Sequence, residues 1–166
     1  VAVLAALVMA SISGSAVADA SAVGGLMIPQ MAKRGYDRDY AVNVTVNAAI
    51  IALMVPPSHN MILYSIAAGG NVSVADLFTA GIIPGLLLAL ALMVTAYVVA
   101  RRRGYPSEPF PGFAKVFYYL LASFPGIVLI GIIFGGVRSG VFTATESSCI
   151  AVLYAFLVAM LVYREL

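Results

Sequence analysis

Six apolar segments divide the chain, and polar or proline-containing runs separate them. They span residues 1–10, 16–32, 41–68, 77–100, 113–137 and 141–163. A helix that crosses a membrane needs about 20 predominantly apolar residues, a length that the last three segments supply and the first two do not. The two short neighbours therefore predict a re-entrant helical hairpin, whose half-length helices enter and leave on one side of the membrane.

The segment at 41–68 is long enough to span a membrane, but the run "VPPSHN" at 55–60 interrupts it. The doubled proline removes backbone donors, and the rings clash with the preceding turn of a helix. We therefore predict a broken helix, with freed carbonyls before the break and the polar residues Ser58, His59 and Asn60 after it.

The composition excludes a soluble domain. Hydrophobic residues make up 63% of the 166 residues, charged residues make up 10%, and the mean hydropathy is +1.05, so too few polar residues are present to cover a surface. We predict an all-α integral membrane protein. The chain begins in an apolar stretch without methionine or a basic leader, which is not typical of a signal peptide, and we expect it to be a piece of a longer protein.

Other chemistry finds no support in the sequence. The single cysteine, Cys149, can form no intramolecular disulfide, and no redox, zinc or other transition-metal framework is present. No phosphate-binding loop and no catalytic set with supporting context occurs. A net charge of +2 does not indicate a nucleic-acid partner, and we predict no enzyme.

The positive charges indicate an orientation. If the first two segments form a hairpin, the three later long segments cross alternately, and eight of the nine lysines and arginines share one face. That face is cytoplasmic by the positive-inside rule, and Arg138 lies at the opposite surface. If the first two segments instead cross the membrane fully and return, the same eight residues still share one face. Charge alone therefore does not distinguish the two layouts.

The polar run "SISGSAVADAS" at 11–21 is the first candidate site. Around Gly14 it places hydroxyls and one carboxylate, on Ser11, Ser13, Ser15, Asp19 and Ser21. Unpaired backbone at membrane depth is tolerated only where it is buried in protein or lines a cavity. Such a loop turns carbonyl and hydroxyl oxygens toward one spot, which suits a small hard cation such as sodium, while the amides that start the next helix suit an anion.

Asp19 has three possible roles in this run. Its carboxylate can complement the macrodipole in the first turn of the returning helix, hydrogen-bond across the hairpin, or complete a cation site. An ionisable residue inside a membrane is a functional candidate by default, but the architecture of a hairpin can also require this one.

The broken segment carries the second candidate site. His59 is either a hydrogen-bonded packing residue, or it contacts the substrate or has a proton-sensitive role. Asn43 and Asn47 are four residues apart and share a helix face, where they either line a cavity or bond to a neighbouring helix.

The run "GVFTATESSCIAV" at 140–152 has a structural interpretation. Thr143 or Thr145 is predicted to cap the final helix, with Glu146 in its first turn. Glu146 is therefore not a candidate site residue.

Four separated stretches resemble the large membrane subunit of the tripartite ATP-independent periplasmic (TRAP) transporters. They are "SGSAVADASAVGGLMIPQMAKRGYDRDYA", "VPPSHNMILY", "LFTAGIIPGLLLALALMVTAYVVARRRGYP" and "FTATESSCIAVLYAFLVAMLVYREL", in the family's order and spacing over nearly all of the chain. The family's large subunit is much longer, so the chain resembles most of the first of two inverted repeats. We expect a second Ser/Gly hairpin and another proline-broken helix beyond Leu166.

This resemblance implies a function and partners. The family imports organic acids, commonly dicarboxylates or sugar acids, across the bacterial inner membrane, with sodium as the coupling ion and no cofactor. A periplasmic binding protein delivers the acid. A small four-helix membrane subunit, separate or fused, braces a scaffold while the transport domain moves like an elevator. The implied fold is a multi-pass, inverted-repeat transporter built from a re-entrant hairpin, a broken helix and continuous transmembrane helices.

Three parts of the chain follow from this scheme. Residues 1–70 belong to the transport domain, with the hairpin at 1–32 and the broken helix at 40–68. Residues 71–104 form a transmembrane helix with a basic cytoplasmic end. Residues 105–166 form two further membrane helices that lead toward the second repeat.

The resemblance also places half of the sodium and substrate region where the hairpin tip and the helix break come together, with backbone carbonyls as the main sodium ligands. Ser11, Ser13, Gly14, Ser15 and Pro56 to Ser58 inherit this role. With the polar candidates added, the predicted hairpin-tip cation site comprises Ser11, Ser13, Gly14, Ser15 and Asp19, and the predicted broken-helix region comprises Asn47, Pro56, Pro57, Ser58, His59 and Asn60.

The sequence departs from the family pattern at the break. Many members have a hydroxyl-rich "STIGP"-like run where this chain has "AIIAL" at 49–53, and "PPSHN" replaces a commoner "PPSIP". The loss of these hydroxyls and of a glycine weakens the case for side-chain ligands in a second cation site. His59 and Asn60 indicate a substrate different from that of members with the commoner run. Two alternatives stay open: a proton-coupled carboxylate transporter in which Asp19 or His59 titrates, and a non-transporting membrane scaffold subunit.

Replacing His59 by alanine is expected to change which acid is transported more than it changes the apparent affinity for sodium. Competition among labelled carboxylates, together with a sodium titration of the same variant, measures both quantities. An unchanged substrate preference with a collapsed sodium dependence rejects the assignment.

Overall fold

The computed structural model describes residues 1–106, 112–141 and 143–163. Within these ranges all regular structure is helical, which confirms the predicted all-α class. The elements are α1 (Ala2–Ser13), α2 (Ala16–Lys33), α3 (Arg38–Ala49), a 3₁₀ turn (Ile50–Leu53), α4 (His59–Ala67), α5 (Val74–Arg102), α6 (Phe113–Ala122), α7 (Phe124–Arg138), α8 (Ala144–Val158) and a π turn (Ala159–Tyr163).

The chain divides into two compact units, Val1–Ser107 and Glu108–Leu166. The first unit contains α1 to α5 and the second contains α6 to α8. The hairpin, the broken helix and the long helix α5 thus share one unit. The expected three-part division, with boundaries after residues 70 and 104, stays a prediction.

Short side chains form the core of the first unit, where α1, α2, α3 and α5 meet. The buried cluster consists of Val3, Ala6, Ala10, Val23, Ala48, Ile51, Ala52, Val55 and Ala89. Small residues let helix backbones approach closely, which is the usual basis of helix packing in membranes because lipid gives little hydrophobic drive between helices.

Two irregular segments interrupt the helices of this unit. The first is the reversal between α1 and α2, where Gly14 has a φ of +60° and its N–H bonds to the carbonyl of Ala10. The second is the break between the 3₁₀ turn and α4, where the amides of Met54 and Val55 both donate to the carbonyl of Ile51 at 3.0 Å. The prolines that follow supply no amide to continue the helix.

Among the described residues, only α5 is both long and apolar enough to cross a membrane, with 29 residues. The predicted span at 77–100 lies within it. Shorter apolar helices cover Ala2–Ser13, Phe124–Val137 and Cys149–Leu161.

Of the two remaining predicted spans, the first is divided, and the second is helical without a break from Ala144 to Tyr163. The segment at 113–137 is interrupted between α6 and α7, because Pro125 lacks the amide that would bond to a carbonyl in the preceding turn. The segment at 141–163 forms a 15-residue α-helix followed by a π turn.

A capping box starts α8. The Thr143 hydroxyl accepts the Glu146 amide at 3.3 Å, and the Glu146 carboxylate accepts the Thr143 amide at 2.7 Å. The predicted helix cap is therefore confirmed at Thr143. The side chains of Thr145 and Arg138, and the whole of Arg164, lie outside the described residues.

Three aromatic rings join the α2–α3 loop to the end of α5. Tyr36, Tyr40 and Tyr105, here called the tyrosine cluster, have ring centroids 4.8 to 6.0 Å apart. The Tyr40 hydroxyl donates to the carbonyl of Ala96 at 2.7 Å, and the Tyr105 hydroxyl donates to Asp37 at 2.5 Å. The cluster therefore fixes α3 against α5 at the end of the unit away from the hairpin tip.

Replacing Tyr40 by phenylalanine keeps the ring and removes the bond to Ala96, so the free energy of unfolding should fall by about 1 kcal/mol. Thermal unfolding of the complete permease in detergent measures the change. Tyr97→Phe is the matched control, because the Tyr97 side chain is 63% exposed. Equal shifts in the two variants would contradict the assigned role of the Tyr40 hydroxyl.

Candidate functional site

The hairpin tip lies directly against the helix break. The amide of His59 donates to the carbonyl of Gly14 at 3.2 Å. A Cβ atom built on Gly14 would stand 2.1 Å from the carbonyl oxygen of Pro57, closer than any side chain permits. Two stretches of non-helical backbone therefore contact each other with no side chain between them.

A serine and an aspartate join the two arms of the hairpin. The Ser13 hydroxyl donates to Oδ1 of Asp19 and accepts the amide of Ser15 at 3.2 Å. Asp19 is fully buried, and among the described residues its Oδ2 atom has no hydrogen-bond partner. Of the three roles considered for Asp19, the geometry shows two: the bond across the hairpin, and a place in the first turn of α2, where a carboxylate complements the macrodipole. The cation site stays a prediction.

The other hydroxyls of the tip point to backbone nearby. Ser11 and Ser21 each donate at 3.0 Å to the carbonyl four residues earlier in their own helix. Ser15 is the N-cap of α2 and accepts the amide of Ala18 at 3.4 Å. Ser13 is thus the hydroxyl that bridges the two arms of the hairpin.

Serine also closes the break. Ser58 is fully buried, and its hydroxyl donates to the carbonyl of Leu53 at 2.8 Å. Pro56 is buried and Pro57 is half-buried, whereas the side chains of His59 and Asn60 are exposed. His59 therefore meets the hairpin tip through its backbone amide and presents its ring outward.

Asn47 lines a cleft of the first unit and does not join the polar residues at the helix break. The side-chain amides of Asn43 and Asn47 donate to carbonyls of α3 at 2.9 and 2.8 Å. Both residues line a cleft of about 440 Å³ between α1, α3 and α5, together with Tyr40 and Thr95. The asparagine pair thus lines a cavity, one of the two possibilities that their spacing left open.

Helix ends converge on the contact between tip and break. α1 ends there, and the last carbonyls of a helix lack internal partners and carry partial negative charge. α2 and α4 begin there, and their first amides carry partial positive charge. The arrangement offers oxygens to a cation and amides to an anion within one small region.

Two glycines that the sequence analysis did not single out also contact the break. Gly81 and Gly85 of α5 are buried against Met54 and Val55. Their spacing of four residues, with Ala89 four residues further along, places small residues on one helix face. This spacing is the signal that sequence reasoning could have used.

The comparisons with known proteins identify the family of the chain. The whole chain, residues 1–166, matches the family model described as Tripartite ATP-independent periplasmic transporter, DctM component. The chain belongs to the DctM family.

Several relatives of this DctM-family chain are named as transport permeases. It is 37% identical to the C4-dicarboxylate TRAP transporter large permease protein DctM of Vibrio cholerae, over 99% of this chain and 36% of that protein. It is 42% identical to the sialic acid TRAP transporter permease protein SiaT of Haemophilus influenzae, over 98% of this chain and 26% of that protein. An uncharacterized protein of Salmonella typhimurium, YgiK, is 46% identical over 99% of this chain and 37% of its own length.

These matches confirm the TRAP resemblance, and the named TRAP relatives are permease subunits rather than enzymes, as the sequence predicts for this chain. The chain spans between about a quarter and about two-fifths of the length of these relatives.

Gly14→Ala is expected to destabilise the hairpin by about 2 kcal/mol or more, because it combines a left-handed backbone with a collision at the Pro57 carbonyl. Gly70→Ala is the matched control: Gly70 also has a positive φ of +74°, and nothing lies within 4 Å of its added Cβ. Thermal unfolding and uptake by the complete permease measure both variants. Equal losses in the two would show that backbone strain alone matters and that the tip does not rest on the break.

Proposed function

We propose that the whole protein is the large permease of a sodium-coupled secondary transporter that imports an organic acid across the bacterial inner membrane. A periplasmic binding protein delivers the acid, and a small four-helix membrane subunit, separate or fused, completes the transporter. The observation that carries the proposal is the backbone contact between hairpin tip and helix break, together with the buried and unpaired oxygen of Asp19, which is tied to the tip through Ser13.

The tip supplies the chemistry of a sodium site. Asp19 is fully buried, and one of its oxygens has no partner among the described residues. A buried carboxylate without compensation is costly, and a cation bound at the free oxygen removes that cost. Serine hydroxyls and the terminal carbonyls of α1 provide further hard oxygen ligands of the kind that such ions prefer.

The same region supplies an anion site. The first turns of α2 and α4 direct amides and partial positive charge toward the tip. A carboxylate of the transported acid is suited to these amides, as in other transporters that bind anions at broken helices. His59 is exposed in the first turn of α4, and in this proposal its ring contacts the remainder of the acid.

Coupling follows from the shared backbone. Sodium at the tip and the acid at the α4 amides both require Gly14 and His59 to remain in contact. Each ligand therefore stabilises the geometry that the other needs, so each raises the affinity for the other. In the elevator scheme the first unit would carry both across the membrane.

Proton coupling is the second candidate, because the free oxygen of Asp19 can hold a proton instead of a sodium ion. The two candidates are separated by uptake of labelled acids into proteoliposomes that contain the complete permease and its small subunit, with loaded binding protein outside. An inward sodium gradient is compared with an equal potassium gradient at one pH. Uptake with sodium only supports sodium coupling, and equal uptake in both gradients rejects it.

Asp19→Asn should lower the apparent affinity for sodium about tenfold or more, because the neutral amide loses a charged ligand. A sodium titration of uptake measures the effect. Asp76→Asn is the matched control, since Asp76 is also an acid in the first turn of a helix but is exposed. If both variants behave alike, Asp19 serves the helix dipole and the cation site is rejected.

A further inference from the structure

The break is held from its other side by α5. Gly81 and Gly85 lie four residues apart on one face of this helix, and both are buried. We call this pair the glycine notch. It faces Met54 and Val55, the two residues that follow the 3₁₀ turn and precede the doubled proline.

The two glycines differ in what an added Cβ would meet. At Gly81 it would stand 2.4 Å from the backbone carbonyl oxygen of Met54 and 2.3 Å from the terminal methyl of Met61. At Gly85 it would stand 2.8 Å from a methyl of Val55. The Met61 methyl ends a flexible side chain and can move aside, whereas the Met54 carbonyl belongs to the backbone of the break.

A short and stiff path joins the notch to the hairpin tip. Met54 and Val55 are followed at once by Pro56 and Pro57, whose rings fix one backbone torsion each. The carbonyl of Pro57 and the amide of His59 are the groups that contact Gly14. A displacement of the Met54 carbonyl by α5 therefore moves the groups on which the tip rests.

We propose that Gly81 and Gly85 are positioning residues that set the distance between the helix break and the hairpin tip, and thereby the affinity for the coupling ion. Neither glycine touches the ion or the acid. This inference rests on the proposed function, because it names residues that act on the same site through the backbone of the break.

A packing role alone makes a different prediction. If the notch only lets α5 approach, a methyl group there lowers the stability of the permease and the amount of active protein, and the apparent affinity for the ion is unchanged. A positioning role changes that affinity even in the fraction that is correctly folded. The ratio of apparent ion affinity to maximal uptake rate therefore distinguishes the two roles.

The test uses the complete permease, its small subunit and loaded binding protein in proteoliposomes. Sodium titrations of uptake give the half-saturating concentration and the maximal rate, and thermal unfolding in detergent is measured in parallel. The variants are Gly81→Ala and Gly85→Ala, each alone and combined with truncation of the side chain that it meets, Met61→Ala or Val55→Ala. Gly131→Ala in α7 is the control, since its added Cβ meets nothing within 4 Å.

Gly81→Ala should raise the half-saturating sodium concentration about tenfold or more, as displaced binding groups do. Adding Met61→Ala should not restore the affinity, because the Met54 carbonyl still obstructs the new methyl. Adding Val55→Ala to Gly85→Ala should restore it to the value of Val55→Ala alone, because the only close obstruction there is a side chain. Gly131→Ala should match the wild type.

Two results overturn the inference. One is a lowered unfolding temperature with an unchanged half-saturating concentration in the glycine variants. The other is restoration of Gly81→Ala by Met61→Ala, which would show that the Met54 backbone is not displaced. If Gly81→Ala does not fold, the Gly85 and Val55 pair decides the question by itself.

The same data test the proposed function separately from the role of the glycine notch. Wild-type uptake that does not depend on the sodium gradient rejects sodium coupling. The notch is then judged by the half-saturating concentration of the ion that does drive uptake, in the same set of variants.

Discussion

The backbone contact of Gly14 with Pro57 and His59 is the constraint on which the first unit depends. Both partners have given up helical hydrogen bonds, and unpaired backbone groups are costly away from water. The bond from the His59 amide to the Gly14 carbonyl recovers part of that cost for both at once. The hairpin tip and the break are therefore stable together, because each supplies a backbone partner that the other lacks.

The charge at the tip adds a second requirement. Asp19 is buried on α2 and bonds to Ser13 at the end of α1, so one carboxylate oxygen ties the arms of the hairpin together. The other oxygen remains without a partner among the described residues. A side chain that served only to close the hairpin would not need to leave that atom unpaired, and this is the ground on which we propose that Asp19 takes part in ion binding.

Local sequence signals predicted the elements better than the contacts between them. The doubled proline located the break, and the short apolar segments indicated the hairpin, because both depend on residues close together in the chain. Ser11, Ser13 and Ser21 look equivalent in sequence, yet helix phase turns two of them to their own backbone and one to Asp19. The division at Pro125 was missed because hydropathy counts apolar side chains and ignores a missing amide.

The core of the first unit consists mainly of alanine, and this composition has a mechanical consequence. Ala6, Ala10, Ala48 and Ala52 are completely buried where α1 meets α3 and the 3₁₀ turn. Alanine has no side-chain rotamers and therefore loses no rotamer freedom on burial. For the same reason it cannot absorb a small displacement of a neighbouring helix by changing its rotamer. A shift of one helix must therefore pass directly to the next as a rigid motion. If the proposed function holds, binding of an ion at the tip would therefore move the hairpin and the broken helix together, with little loss in side-chain rearrangement.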